Sequence, residues 1–125
     1  MSKKILIIED EKLITKSLQK LLEKEGFETT IANSGAEAIE LVKQKSYDLI
    51  ISDIRMPEKD GIETITEIRQ LLKENNKPAI PEVLITGYAD EEKYKSAVDL
   101  KVAGYLYKPF DTEDLLEAVQ NALDK

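Results

Sequence analysis

Several short apolar runs of the chain end in polar residues that could do chemistry together. They are Glu9 and Asp10 after the first run, Asp53 after the third, Thr86 at the end of the fourth and Lys108 after the fifth. Each residue alone has an ordinary explanation, as a helix start, a turn residue or a solvated lysine. If the runs are parallel strands, however, their carboxyl ends meet at one edge of a sheet. The pattern therefore predicts one site built from all five side chains.

Three crowded carboxylates need a positive charge among them, because carboxylates about 4 Å apart repel by on the order of 4 kcal/mol at an effective dielectric near 20. The chain has no His and no Cys, which excludes the usual zinc ligands. Oxygen ligands with room for water suit Mg²⁺ instead. With Mg²⁺, the Lys108 ammonium and the Thr86 hydroxyl to balance charge, Asp53 could act as a nucleophile toward phosphorus. The expected product is an acyl phosphate on Asp53.

The elements that must position these residues alternate along the chain, a strand and then a helix. Apolar runs that predict strands cover residues 4–8, 29–32, 48–52, 82–85 and 104–107. Apolar residues at helical spacing follow each run, with Gly26 as a stop signal, Ser34 as a cap and Asp111 at the start of the last helix. Five parallel strands joined by right-handed crossovers favour a doubly wound α/β sheet with five helices.

One predicted helix is weaker than the others. The segment from Asp90 to Lys101 has few apolar residues, namely Tyr94, Ala97, Val98 and Leu100. We therefore expect this helix to be the least firmly packed and to be mobile. The segment from Asn75 to Pro81 is polar, carries two prolines and predicts a loop.

Length and charge limit the possible functions. The 125 residues fit one domain, and the net charge of −7 argues against direct nucleic-acid binding. No run reaches transmembrane length, and the first residues lack the pattern of a signal peptide. We therefore expect a cytoplasmic protein without membrane insertion, whose partner is a protein or a cation.

Four segments make the chain similar to the receiver domains of two-component response regulators, in particular to single-domain members that resemble chemotaxis regulators. In chain order they are the acidic pair Glu9 and Asp10, "DIRMPEKDG" from Asp53 to Gly61, "ITG" ending in Thr86 and Gly87, and "YLYKPF" from Tyr105 to Phe110. The resemblance extends over essentially the whole chain. It implies a flavodoxin-like sheet with strand order 2-1-3-4-5 and one receiver domain over residues 1–125.

The resemblance also implies roles for the site residues. Asp53 would be the phosphorylated residue, and Thr86 and Lys108 would act with it in catalysis by contacting phosphoryl oxygens. The metal ligands would be Glu9, Asp10, Asp53 and the backbone carbonyl of Arg55. The chain would catalyse its own phosphorylation and slow dephosphorylation at Asp53, with no turnover of an external substrate.

Further residues would control the output and its duration. Thr86 and Tyr105 would form the switch, and the peptide bond between Lys108 and Pro109 would be cis. Arg55 and Tyr88 occupy positions that flank the path of water to the phosphorus in receivers. Because both side chains are large, we expect them to prolong the phosphorylated state, unless both point to solvent and change nothing.

The resemblance implies a histidine kinase or a histidine phosphotransferase as the donor. The output would be a separate effector protein, bound at the surface of the fourth helix, the fifth strand and the last helix. The expected state is a monomer, with dimerisation on phosphorylation left open. One alternative also stays open: an adaptor that has the receiver fold and is never phosphorylated. Two others fit less well, since the place of a phosphatase D-x-D motif reads Glu9, Asp10, Glu11 and the chain contains no G-x-G of a dinucleotide site.

Overall fold

The computed structural model describes residues 2–87 and 89–124, and over these residues five strands alternate with five helices. The strands are β1 (Lys4–Ile8), β2 (Glu28–Ala32), β3 (Leu49–Asp53), β4 (Glu82–Thr86) and β5 (Gly104–Tyr107). The helices are α1 (Lys12–Lys24), α2 (Gly35–Gln44), α3 (Gly61–Glu74), α4 (Glu91–Leu100) and α5 (Thr112–Leu123). No helix of the described part is long and apolar enough to cross a membrane.

The five strands form one parallel sheet in the order β2-β1-β3-β4-β5. This confirms the predicted doubly wound, flavodoxin-like fold and its strand order. The predicted ends of two strands were one residue short. Asp53 pairs with Ile85, and Thr86 pairs with Tyr107, so both polar residues belong to their strands. The ladder continues through them because its hydrogen bonds use backbone groups, whatever the side chain.

Helices cover both faces of the sheet. Helices α1 and α5 pack on one face, against the side chains of Ile5, Ile7, Leu49, Ile51, Val83 and Ile85. Helices α2 and α3 pack on the other face, where they bury Leu6, Ile8 and Ile50. Helix α4 joins this second face through a smaller cluster made of Ile54, Ile65, Leu84 and Ala97. The three inner strands are thus buried between two apolar layers, whereas the edge strands β2 and β5 are partly exposed.

Helix caps explain where several elements begin and end. Ser34 accepts a hydrogen bond from the Glu37 amide, as the sequence predicts. Gly26 has φ +92°, a conformation that favours glycine, and ends the turn after α1. Asp111 is the N-cap residue of α5, but within the described residues its side chain accepts no capping hydrogen bond. Its position was predicted correctly, and a capping role was not found.

Candidate functional site

The five predicted site residues all lie at the carboxyl edge of the sheet. Glu9 follows β1 directly and extends its ladder, since its amide donates to the Ala32 carbonyl at 3.0 Å. Asp53 and Thr86 are the last residues of β3 and β4. Lys108 follows β5, and its amide donates to the Thr86 carbonyl at 2.7 Å. The peptide bond from Lys108 to Pro109 is cis, as the resemblance implied.

Glu9, Asp10 and Asp53 form a compact acidic cluster. Each offers a carboxylate oxygen, and the three oxygens lie within 4.8 Å of one another. Glu9 and Asp53 are only 1% and 5% exposed, whereas Asp10 is exposed to solvent. Two buried oxygens and one open side suit a hard divalent cation that keeps part of its water shell. The residues present therefore fit Mg²⁺.

One ammonium group serves two of these carboxylates. Lys108 Nζ lies 3.4 Å from Asp53 Oδ1 and 3.4 and 3.5 Å from the two Glu9 oxygens. Burial and then the Asp53 charge raise the pKa of Glu9 to about 7, although Lys108 opposes this shift. Burial also raises the pKa of Asp53, again against the effect of Lys108. The single charge of Lys108 therefore does not neutralise the negative charge of the carboxylates. A further cation at the site would stabilise their ionised forms.

The segment that follows Asp53 is folded back tightly onto β3. The Gly61 amide donates to the Ile54 carbonyl at 2.8 Å. A Cβ atom at Gly61 would lie 2.3 Å from the Asp53 carbonyl oxygen and 2.9 Å from the Ile54 Cα. Glu58, between them, has φ +67°. This turn brings the start of α3 against the end of β3, so it fixes the backbone on which the Asp53 carboxylate sits.

A cavity of about 380 Å³ opens beside the site, between the segment after β3 and the start of α4. It is lined by Ile54, Arg55, Met56, Pro57, Asp60, Thr86, Asp90 and Lys93. Thr86 is only 2% exposed. The Arg55 side chain is half exposed, with Nη2 4.0 Å from Asp90 Oδ2. Tyr88, the other residue predicted to affect the lifetime, lies outside the described residues.

Tyr105 lies one strand away from Thr86, within β5. Its ring meets those of Tyr94 and Tyr107 edge to face, with ring centres 5.1 and 5.3 Å apart. Its hydroxyl oxygen is buried, and no hydrogen-bond partner for it is found in the described part of the chain. Burial is the main cause that raises the pKa of Tyr105 to about 12. In this position of the ring the Tyr105 hydroxyl gains no hydrogen bond. This suits a side chain that can also adopt a second position.

Several polar residues next to the site were missed by the sequence analysis. Asp60 caps α3 in a capping box with Glu63, and its second carboxylate oxygen lies 2.5 Å from Lys93 Nζ. The local signal was available, because an acidic residue followed three positions later by Glu is typical of a capping box. The pair of Asp60 and Lys93 joins residues 33 positions apart, and no local pattern indicates it.

Comparison with known proteins gives a consistent result. The family model of the response regulator receiver domain matches residues 5–120. The chain is 37% identical over 119 residues to the transcriptional regulatory protein ZraR of Escherichia coli K12, covering 95% of this chain and 26% of ZraR. It is 36% identical over 124 residues to PdtaR of Mycobacterium tuberculosis H37Rv, covering 98% of this chain and 58% of PdtaR. The chain thus spans about a quarter to somewhat over half of these relatives.

Solved structures agree with the sequence matches. A CheY-like receiver domain protein from Methanospirillum hungatei has a TM-score of 0.89 at 29% identity, over 99% of this chain and 95% of that one. The chemotaxis protein CheY4 of Vibrio cholerae has a TM-score of 0.87 at 28% identity, over 98% of this chain and all of that one. The similarity therefore extends across the whole fold, including the edge of the sheet that carries the acidic cluster.

Proposed function

The chain belongs to the response regulator receiver domain family of two-component systems, and from this we propose that it receives a phosphoryl group on Asp53. The ligands of Mg²⁺ would be Glu9, Asp10, Asp53 and the Arg55 carbonyl, and the donor would be a histidine kinase or a histidine phosphotransferase. The observation that carries the proposal is the shared ammonium of Lys108. Two buried carboxylates, Glu9 and Asp53, share the one ammonium group of Lys108, so the site has an excess of negative charge. A metal-dependent phosphoryl acceptor requires such a site, because a bound cation then neutralises the excess.

Each residue has a part in the transfer. Bound Mg²⁺ would supply positive charge that offsets the developing charge on the phosphoryl oxygens. A carboxylate oxygen of Asp53 forms the new bond to phosphorus while the bond from phosphorus to the donor's histidine nitrogen breaks. Lys108 would move from its position between Glu9 and Asp53 to pair with a phosphoryl oxygen on the modified Asp53. The Thr86 hydroxyl donates to another phosphoryl oxygen.

The phosphorylated state would be recognised at the surface formed by α4, β5 and α5. Movement of Thr86 toward the phosphoryl group vacates space that the ring of Tyr105 can occupy, and this would change the surface near Tyr94 and Tyr107. A separate effector protein would recognise that change. We further propose that residues 1–125 act as one receiver domain, and that Arg55 and Tyr88 prolong the phosphorylated state.

The test is phosphorylation by acetyl phosphate with Mg²⁺, followed by intact-mass measurement. The protein should gain one phosphoryl group that is lost at alkaline pH. The Asp53→Asn variant should gain none, and Asp99→Asn, which alters an exposed aspartate of α4, should behave as the original. Labelling of Asp53→Asn would show that another residue is the acceptor. If the original protein never gains a phosphoryl group, the alternative of an adaptor with the receiver fold is favoured.

A further inference from the structure

A cavity separate from the one beside Asp53 lies at the opposite edge of the sheet, where the parallel strands begin. Its volume is about 350 Å³, which is within the range of small-molecule sites. Its walls come from the loop between α2 and β3 and from the loop between α3 and β4. Six of its lining residues are apolar or aromatic, namely Val42, Tyr47, Leu72, Pro78, Ala79 and Ile80.

Hydrogen bonds hold both of these loops in place. The Asp48 amide donates to the Lys4 carbonyl at 2.7 Å, and the Asp48 carboxylate accepts from the Lys4 amide at 2.8 Å. The Lys77 amide donates to the carbonyl of Leu72, in the last turn of α3, at 2.8 Å. Each loop is thus fastened to a strand or a helix. The walls of the cavity are therefore pre-formed, which lowers the cost of ordering them around a ligand.

Tyr47 places a hydroxyl group in the interior next to this cavity. The residue is 7% exposed, and its side chain packs in one apolar cluster with Val42, Leu72 and Ile80. Its hydroxyl oxygen is buried, and no hydrogen-bond partner for it is found among the described residues. A buried hydroxyl without a partner is unfavourable, because it has lost its hydrogen bonds to water. A ligand oxygen that reaches this hydroxyl would supply the missing acceptor.

The exposed part of the cavity lining has more positive than negative charge, although the net charge of the chain is −7. Lys45 and Lys77 are exposed lining residues. Neither forms an ion pair within residues 2–87 and 89–124. Asp48 also lines the cavity, and its carboxylate already accepts the hydrogen bond from the Lys4 amide. The two ammonium groups are therefore available to an anion.

We propose that this cavity binds a small organic acid that has an apolar body and a second oxygen atom. Its carboxylate pairs with the ammonium groups of Lys45 and Lys77. Its body packs against Leu72 and Ile80, and its second oxygen accepts a hydrogen bond from the Tyr47 hydroxyl. An inorganic anion would leave the apolar walls uncovered, and an uncharged apolar compound would not use the two ammonium groups. The site lies apart from Asp53, so the proposal does not depend on phosphorylation.

Titration of the protein with hydroxyphenylacetates, followed by amide chemical shifts, tests the site. At least one of the ortho, meta and para isomers should bind with a Kd on the order of 1 mM, and the shifts should concentrate in residues 45–50 and 72–80. The corresponding uncharged amides should bind about threefold to fivefold more weakly, because they cannot form an ion pair with either lysine. Equal affinity of acid and amide, or no shift in these segments with any of the three acids, would overturn the proposal.

Two variants separate the parts of the site. Tyr47→Phe removes only the hydroxyl, so it should weaken binding of the hydroxyphenylacetate about threefold to tenfold and leave binding of phenylacetate unchanged. Because the hydroxyl has no partner in the free protein, this variant should unfold at the same urea concentration as the original or at a higher one.

Lys77→Met should weaken binding of each acid about threefold to fivefold. Lys95→Met, which removes an exposed charge of α4, is the matched control and should have no effect. Lower stability of Tyr47→Phe would show that the hydroxyl is already satisfied in the free protein, and this would overturn the proposal. Equal binding of phenylacetate and the hydroxyphenylacetates by the original protein, or equal losses in the two lysine variants, would overturn it as well.

Discussion

Helices α3 and α4 are neighbours on the same face of the sheet, yet they are attached in different ways. Helix α3 begins with a capping box and buries Gly61, Thr64, Ile65, Ile68 and Leu72. Helix α4 fully buries Ala97 alone, with partly exposed contacts from Leu100 and the Tyr94 ring, and charged side chains hold its two ends. Apolar burial is non-directional and is lost only when the helix leaves the core. An ion pair at a partly exposed end can open and reform while the helix stays folded.

The difference shows how one small domain can combine a rigidly packed helix with a weakly packed one beside the same site. The end of β3 rests against the start of α3, where the Gly61 amide bonds the Ile54 carbonyl, so the Asp53 backbone is tied to the firmly packed helix. The side chains around Asp53 are tied to the loosely packed one, through Asp60 and Lys93. The contacts that hold the Asp53 backbone are thus separate from those that connect its surroundings with α4.

The largest expected effect comes from removing apolar volume from each helix. Ile68→Ala should lower the free energy of unfolding by about 2–5 kcal/mol, because Ile68 is fully buried and a cavity remains. Val98→Ala on α4 should change it by less than about 0.5 kcal/mol. Urea denaturation of both variants measures the two values. Similar losses in the two variants would mean that α4 is packed as firmly as α3.

A methyl group at Gly61 should disturb the junction of α3 with the site. Gly61→Ala places its Cβ against the Asp53 carbonyl oxygen, and relieving that overlap should cost about 1–3 kcal/mol in the free energy of unfolding. Gly87→Ala is the control, because the nearest atom to its Cβ is the Lys108 Cδ at 4.0 Å. The same denaturation measurement applies. Equal stability of the two alanine variants would contradict the close contact between α3 and β3.

Magnesium should stabilise the part of the fold that carries its proposed ligands. At ten times its dissociation constant the gain is about 1.4 kcal/mol in the free energy of unfolding. Asp10→Asn should reduce or abolish this gain. Hydrogen exchange should slow in the segments after β1 and β3, while α4, which provides no proposed ligand, should change least. An unchanged melting temperature at tens of millimolar magnesium would refute the metal site.

The smallest effect should come from strengthening the end of α4. Lys101 caps this helix with φ +56°, a conformation that costs a residue with a side chain about 1 kcal/mol relative to glycine. Lys101→Gly should therefore raise the free energy of unfolding by about 0.5–1 kcal/mol and slow exchange in the last turn of α4. Lys95→Gly, inside the same helix, should have the opposite sign, with a cost of about 1 kcal/mol. Destabilisation by both substitutions would exclude strain at Lys101.

The sequence was sufficient for the parts of the molecule that depend on periodicity and on local caps. The alternation of strands and helices and the cap at Ser34 follow from residues close together in the chain. The edge that collects Glu9, Asp10, Asp53 and Lys108 follows from the parallel arrangement of the strands that precede them. The strand order came from the resemblance to receivers and is confirmed. The roles of the site residues, and the mobility of α4, remain predictions.

The parts that could not be predicted depend on contacts between distant segments. The Arg69 guanidinium reaches Glu82 and the Leu100 carbonyl, which lie 13 and 31 positions away. Nothing in the local sequence distinguishes Arg69 from a solvated residue on an amphipathic helix. The same holds for Lys93, whose neighbours in α4 suggest only a polar helix face. Long charged side chains find partners according to the packing of whole elements, so their pairs appear only in the folded structure.

The edge-to-face rings of Tyr94, Tyr105 and Tyr107 also give this protein an internal spectroscopic reporter. The chain has five tyrosines and no tryptophan, so its near-ultraviolet circular dichroism and its intrinsic emission come mainly from tyrosine, and three of the five rings meet in this one cluster. The pKa of Tyr105 is raised to about 12, so its phenol stays protonated in ordinary buffers and its signal reflects ring geometry rather than ionisation. A rearranged cluster would therefore be visible without any label, in the same solution that is used to test phosphorylation.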